Sequence, residues 1–333
     1  SEKSYRVAKQ VFEESGRKII DATVNGRCQV FPKQDYQEIF KDYLSNKNKN
    51  VQIEVKELEP SVYCELRRFQ DLHTGKEALL LCNGPSLNQV DFSRIERSRF
   101  VVFGLNKIFL GIHRLGINPD YIAAVNPKVV SQSAYQFAKI PVPKFISSRA
   151  FCSLLQKNNK TFYINTTLPS KHDRFSKDIT QYIHEGWTVT HVALQILYYM
   201  GVKTVYIVGM DHRFKQHIQG KENAEGKIEG ADIDHFDPSY FGNGQLWDLP
   251  DLGNSEISYR AALKTFRDAG RKIYDCTING ACNIFPKLDI NQIYTKGDDL
   301  IQRLHQTQEL LEEYYFKYEQ LKNQKEKAKN ETK

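Results

Sequence analysis

The sequence predicts an α/β protein with a Rossmann-like, doubly wound and mostly parallel sheet, followed by a C-terminal helix. Three observations predict it. Short, nearly all-apolar runs recur along the chain, as strands buried on both faces of a parallel sheet require. Helical patterns lie between them at crossover spacing. Several of the runs end in Asn or Gly, and open α/β sheets bind ligands at such strand ends.

The first of these runs is Glu77-Ala78-Leu79-Leu80-Leu81-Cys82, which enters Asn83-Gly84-Pro85-Ser86-Leu87. Glycine there permits positive φ and close backbone approach, Pro85 stiffens the turn, and Ser86 is placed to cap a following helix. The amides of that helix start would face a phosphate or ribose. Phe100–Leu105 is a second strand, ending at Asn106, and Tyr121–Val125 a third, ending at Asn126-Pro127. Amide side chains at three strand ends suit base edges and ribose hydroxyls without adding charge. A helix over Val189–Met200, closed by Gly201 and capped by Thr188 or Thr190, leads to the strand Thr204–Val208 and then Gly209-Met210-Asp211.

Residues 1–40 match residues 255–294 without a gap, at roughly half of the positions. A repeat of that length reflects shared architecture. In the second copy Tyr259, Ala262, Leu263 and Phe266 fall at helical spacing, Gly270 stands at the C-cap, and Lys272–Thr277 reads as a strand before the Asn279-Gly280 turn. The expected division is therefore a partial repeat over 1–50, read as the tail of an upstream tandem domain. A polar linker comes next over 51–60, then a complete domain over 61–295, and an amphipathic helix with a polar tail over 296–333. Ile301, Leu304, Leu311, Tyr315 and Tyr318 give that last helix an apolar stripe, which would either pair with another chain in an oligomer or lie against its own domain.

Composition narrows the function. Hydrophobic residues are 40% and charged residues 26%, as in ordinary globular proteins. No apolar run reaches the roughly 18 residues of a membrane span, and no signal peptide opens the chain. A cytoplasmic location is expected, with the inner face of the membrane as the surface a basic chain would touch. The net charge of +7 is concentrated in lysines of the terminal segments, without the arginine–aromatic stripe of a nucleic-acid binder. The six cysteines form no C-x-x-C pair, which argues for buried thiols rather than a zinc knuckle.

The order of Asn83-Gly84-Pro85-Ser86-Leu87, Asn106, Asn126-Pro127 and Val208-Gly209-Met210-Asp211 resembles the MptE-like family. That family is related to the bacterial sialyltransferases of glycosyltransferase family 42 and to the motility-associated flagellin glycosyltransferases. The resemblance implies a variant GT-A-like fold, and nucleotide contacts from Asn83, Gly84, Pro85, Ser86, Asn106, Asn126, Gly209 and Asp211. It also implies a lid over Arg213–Leu249 that carries the catalytic groups. Aligned on the family's Tyr-x-Gly-His, Tyr240 and Gly242 put Asn243 at the base position, which leaves His235 as candidate base and Tyr240 as a phosphate contact.

The implied function is transfer of a sugar, a nonulosonic acid, from a CMP-activated donor to a surface-glycan or protein acceptor. No metal is needed for that leaving group. One alternative is a Mg²⁺-dependent 6-hydroxymethylpterin diphosphokinase, with the metal drawn from Asp211, His212, His217, Asp232, Asp234, His235 and Asp237. Another is a non-catalytic glycan-binding or scaffolding domain.

Overall fold

The computed structural model describes residues 2–23, 27–35, 38, 52–54, 58–156, 159–168, 174–214, 225–227, 230–242, 244–294, 311, 314 and 318. Its centre is a sheet of seven strands: β1 (Glu77–Leu81), β2 (Phe100–Leu105), β3 (Tyr121–Ala124), β4 (Lys144–Ser147), β5 (Thr161–Ile164), β8 (Thr204–Val208) and β11 (Lys272–Asp275). The order is β11-β8-β1-β2-β3-β4-β5, and every pairing is parallel. Two minor sheets pair β6 (Thr166–Thr167) with β7 (Ile183–His184), and β9 (Glu225–Lys227) with β10 (Leu246–Asp248).

The chain walks outward from β1 to β5, then returns to the other side of β1 with β8. That reversal opens a crevice at the carboxyl ends of β1 and β8, the switch point of a doubly wound sheet. The central strands β1, β2 and β8 are buried almost throughout, which is why their sequences are continuous apolar runs rather than alternating ones. Helices Pro127–Lys139, Val189–Tyr199 and Leu252–Asp268 are the long crossovers. The expected Rossmann-like architecture is the observed one.

Sheet strands β4 and β5 lie beyond the elements read from the sequence. Lys144 starts β4 yet is fully buried, because its Nζ donates to the carbonyls of Ile140 (2.9 Å) and Val142 (3.1 Å). A strand that opens on lysine disguises its burial. The linker expected over 51–60 is already docked in part: Glu54 N donates to Phe151 O at 3.1 Å, and Ile53 and Leu58 pack on the core. Of the six cysteines, Cys82, Cys152, Cys276 and Cys282 are buried, whereas Cys64 is exposed and Cys28 half-buried. The helix expected over 296–333 lies almost wholly outside the described residues. Leu311, Tyr314 and Tyr318 are helical and exposed.

Both copies of the repeat build the same small module. Helix Glu2–Glu14 matches the later part of Leu252–Asp268, and Gly16 and Gly270 end them with φ of +71° and +70°. Asp21 N donates to Pro32 O at 2.9 Å, as Asp275 N does to Pro286 O at 2.9 Å. Lys33 binds the Asp21 carboxylate at 2.5 Å, and Lys287 binds Asp275 at 2.5 Å. One difference is instructive. Lys272–Asp275 is a strand because it pairs with β8, whereas the matching residues 18–21 form no strand and carry only the bridge between Asp21 and Lys33.

Candidate active site

A cleft of about 420 Å³ opens at the carboxyl ends of β1, β2, β3 and β8, within the size range of small-molecule sites. Its floor is the turn after β1. Asn83 donates its Nδ2 to Leu105 O (3.1 Å) and to the Tyr240 hydroxyl (3.0 Å), while its Oδ1 is buried without a partner. Asn106, held at a φ of +44°, also buries an Oδ1 without a partner. Buried amide oxygens of this kind are rare and are a place for a donor.

The turn differs from its expected chemistry in three respects. Gly84 has a φ of −72°, so it is not a left-handed glycine. Its requirement is space: a β-carbon there would fall on the Asp211 carboxylate and 2.7 Å from Gly209 O. Ser86 does not cap a helix. Its hydroxyl donates to Asp211 Oδ2 at 2.6 Å and its amide to the same oxygen at 3.2 Å, within a single short 3-10 segment, Pro85–Gln89. Pro85 and Ser86 are not brought to the cleft wall, whereas Asn83, Gly84, Asn106, Asn126, Gly209 and Asp211 are. Asp211 thus serves first as a clasp for the turn. Gly209, at a φ of +74°, accepts Gly84 N through its carbonyl at 2.8 Å and brings the two strand ends together.

Asn126 is committed elsewhere than to a free ligand contact. Its Oδ1 accepts from Lys128 N (2.8 Å) and Val129 N (3.4 Å) as the N-cap of helix Pro127–Lys139, and its Nδ2 donates to Asp248 (2.7 Å). The expected convergence of three free amides is therefore two amides and one cap. Thr188 caps helix Val189–Tyr199, accepting from Thr190 N at 3.3 Å, and Asp251 caps Leu252–Asp268, accepting from Asn254 N at 3.0 Å. All three capped ends line the cleft. Three helix N-termini aimed at one space favour an anion, and only the Thr188-capped end has neither a carboxylate cap nor a carboxylate bound to its cap.

The predicted lid contributes His235 and Tyr240. His235 Nδ1 lies 2.8 Å from Asp232 Oδ2, and its ring is stacked on Tyr240 with centroids 4.1 Å apart. Asp232 is buried and also accepts from Asp234 N, His235 N and Phe241 N. Burial pushes its carboxyl up, but the His235 contact and these amides outweigh burial and leave the pKa lowered. With Nδ1 donating to that carboxylate, Nε2 of His235 is the ring's basic nitrogen. Tyr240 is 1% exposed, and burial raises its hydroxyl pKa, so its OH is a neutral wall group bound to Asn83. Behind it, Lys107 is buried, donates to Tyr240 O at 2.7 Å, and is pulled down to about 7 by desolvation.

Among the described residues, the carboxylates and histidines proposed for a metal are engaged with other partners. Asp211 is bound to Ser86 and Asp232 to His235; His217 and Asn243 lie outside the described residues. Among the described residues no group of three or more His, Cys, Asp or Glu is arranged to hold a metal ion.

Several cleft residues escaped the sequence reading. Arg149 binds Glu185 at 2.6 Å, and Glu185 also accepts from Thr166 at 2.6 Å. Burial raises the Glu185 pKa against those two partners. Asp248, Asp251 and Tyr259 complete the wall. Of these, Asp251 carried a signal: Asp-Leu-Gly-Asn before a helical pattern is an N-cap sequence.

No curated protein matches the chain. Among solved structures, the MAf glycosyltransferase from Magnetospirillum magneticum AMB-1 is similar at a TM-score of 0.45 and 14% identity, over 78% of this chain and 40% of that one. The chain thus spans less than half the length of that protein, and the likeness is too distant to carry an argument about activity. A family model described as 6-hydroxymethylpterin diphosphokinase MptE-like matches residues 41–217, more than half of the sequence. The turn after β1, the Asn106 and Asn126 strand ends and the Gly209-Met210-Asp211 clasp all lie in that span, and the chain belongs to the MptE-like family.

Proposed function

We propose that this protein is a transferase acting on a nucleotide-activated substrate, and that the substrate is a CMP-linked sugar of the nonulosonic class. The observation that carries the reading is the convergence of three helix N-termini on a cleft at the switch point of the sheet. Such a cleft suits an anionic leaving group. The Asn83 and Asn106 amide oxygens would accept from the exocyclic amine of a base.

In this reading the phosphate of the donor lies at the Thr188-capped helix end. Nε2 of His235 takes the proton of an acceptor hydroxyl as that oxygen attacks the anomeric carbon. The bond from that carbon to the phosphate oxygen breaks, and CMP departs with the electron pair. Asp232 fixes the imidazole and stabilises the imidazolium. The acceptor is a hydroxyl of a glycan or of a protein. No helix among the described residues is long and apolar enough to cross a membrane.

A second reading is favoured by the description of the matching family model: pyrophosphoryl transfer from ATP to a pterin hydroxymethyl group. His235 would take the same proton there, and Mg²⁺ would arrive bound to the ATP phosphates.

Thermal shift with CMP, CDP, UDP, GDP and ATP, each with and without Mg²⁺, separates the readings. A ligand at a hundredfold over its Kd adds about 2.7 kcal/mol of stability. Selective stabilisation by CMP without metal supports the sugar transferase. Stabilisation by ATP only with Mg²⁺ replaces it with the diphosphokinase. No response to any nucleotide removes both, in favour of a binding or scaffolding domain.

A further inference from the structure

The C-terminal copy of the repeat shows a plug seated in its socket. Phe266 meets Phe175 and Tyr198 edge-on, with centroids 6.1 and 5.3 Å away. Ile273 pairs with Val205 on the β8 edge. The Tyr259 hydroxyl lies 3.3 Å from Thr188 Oγ1, beside the cap that faces the cleft, and Glu256 reaches His212 at 3.3 Å. Ser255 and Tyr259 line the cleft, so without this module the cleft lacks one wall.

The N-terminal copy has kept the plug. Of the 40 aligned positions 21 are identical. The identity is not evenly spread. The second copy buries 15 of these positions, and 11 of those are identical, against 10 of the other 25. Tyr5, Ala8, Phe12, Ile19, Cys28 and Phe31 stand where Tyr259, Ala262, Phe266, Ile273, Cys282 and Phe285 stand. The internal geometry agrees as well: Tyr5 and Phe31 rings meet at 5.7 Å and 47°, Tyr259 and Phe285 at 5.2 Å and 48°. What differs is cover. Tyr5 is 47% and Phe12 41% exposed, whereas Tyr259 and Phe266 are 3% and 0% exposed. Val7 and Val11 extend the exposed face. A helix that keeps the Tyr, Ala and Phe its twin buries, yet leaves the two rings exposed, is shaped for a surface.

We propose that the N-terminal module is a second cleft-closing element. It docks on the β8 edge and the Val189–Tyr199-type helix of another domain of this same fold, and supplies Tyr5 to that domain's cleft, as Tyr259 is supplied here. The seated twin identifies the occupant: the face matches the plug that covers this surface, and in this chain the surface is already filled by residues 255–294. The proposal depends on the geometry of the module and not on which nucleotide the cleft takes, so a failed nucleotide screen leaves it standing.

The test replaces residues 255–294 of the full chain with the sequence of residues 1–40. The chimera is expected to melt cooperatively within about 10 °C of the parent, a loss of a few kcal/mol at most for a domain of this size. Its transplanted helix should be protected from hydrogen exchange. A larger loss, or an unprotected helix, overturns the proposal. Should the chimera fail to accumulate, a variant carrying only the buried differences, A261V, C276A, I290Y and Y294F, decides by the same threshold. In the parent chain, amides from Val7 to Phe12 are expected to exchange fast when dilute. Protection that grows with concentration would mean that the face pairs with a second copy of this chain, whose own β8 edge is already filled, and overturns the proposal. Strong protection independent of concentration means the face is covered by its own domain, and overturns the proposal.

Discussion

The imidazole of His235 lies flat on the phenol ring of Tyr240, with centroids 4.1 Å apart and planes within 2° of parallel. The stack, the Asp232 contact at 2.8 Å, and edge contacts from Phe241 and Trp247 hold the ring in one orientation. In the proposed reaction, a base fixed in this way would lose little entropy when an acceptor hydroxyl arrives.

His235→Ala is therefore expected to lower kcat by about 10²–10⁴-fold, the range of general-base catalysis, with the donor KM within a few-fold of the parent. Steady-state kinetics with the donor found by the nucleotide screen check it. Full activity in this variant would end the base assignment.

Gly84 has a spatial role that Ala cannot fill. The added methyl group meets the Asp211 carboxylate and the Gly209 carbonyl, and the turn between β1 and its 3-10 extension must shift. Gly84→Ala is expected to destabilise the domain by about 1–3 kcal/mol, as overpacking does. The double variant Gly84→Ala/Asp211→Ala should recover part of that loss, since the carboxylate leaves the contested space. Urea denaturation of the two single variants and the double variant gives the coupling; strict additivity would mean that Asp211 does not crowd Gly84.

How much of the fold and the cleft was legible depends on where the chemistry sits. Strands β1, β2, β3 and β8 announce themselves because burial on both faces leaves them continuously apolar beyond their first residues. Strand β4 hides because it opens on Lys144, whose charge is satisfied by the neighbouring carbonyls of Ile140 and Val142, and both β4 and β5 are only four residues long. The Asn83, Asn106 and Asn126 strand ends were readable as cleft residues, but their bonds were not. That Asn126 caps a helix while Asn83 retains a free oxygen is decided by Asp248 and Tyr240, more than a hundred residues away. Arg149 and Glu185 were illegible for the same reason: neither belongs to a local pattern, and β4, β6 and β7 bring them together.

Removal of residues 1–50 should leave the domain's stability nearly unchanged. Helix Glu2–Glu14 buries no residue, and its ion pairs, Arg6–Glu2 and Lys9–Glu13, are exposed and span a single turn, so they contribute little. Docking onto the domain is visible from Ile53 and Glu54. The expected Tm change is under about 2 °C, which corresponds to less than 1 kcal/mol for a domain of this size. A large loss measured by calorimetry would place a stabilising contact between the N-terminal module and its own domain.

His191 sets a pH dependence in the acid range. It is fully buried, and desolvation pulls its pKa down to about 4 against the hydrogen bond from its Nε2 to Arg174 O at 2.9 Å. The unfolded chain binds a proton near pH 6.5, and the folded chain does so only near 4. Above pH 6.5 neither state is protonated and His191 adds no slope. As pH falls from 6.5 to 4 the unfolded state alone gains the proton, so stability declines by up to about 1.4 kcal/mol per pH unit, for a total of roughly 3 kcal/mol. Below 4 its contribution levels off. His73 and His184, also pulled down by burial, add to the same slope, and Asp232, whose pKa is lowered, adds its loss only at still lower pH. His191→Gln retains an amide donor toward Arg174 O and removes the titration. Denaturation midpoints at pH 7, 6, 5 and 4.5 should therefore fall less steeply in His191→Gln than in the parent; identical slopes would mean that His191 takes up its proton in the folded state.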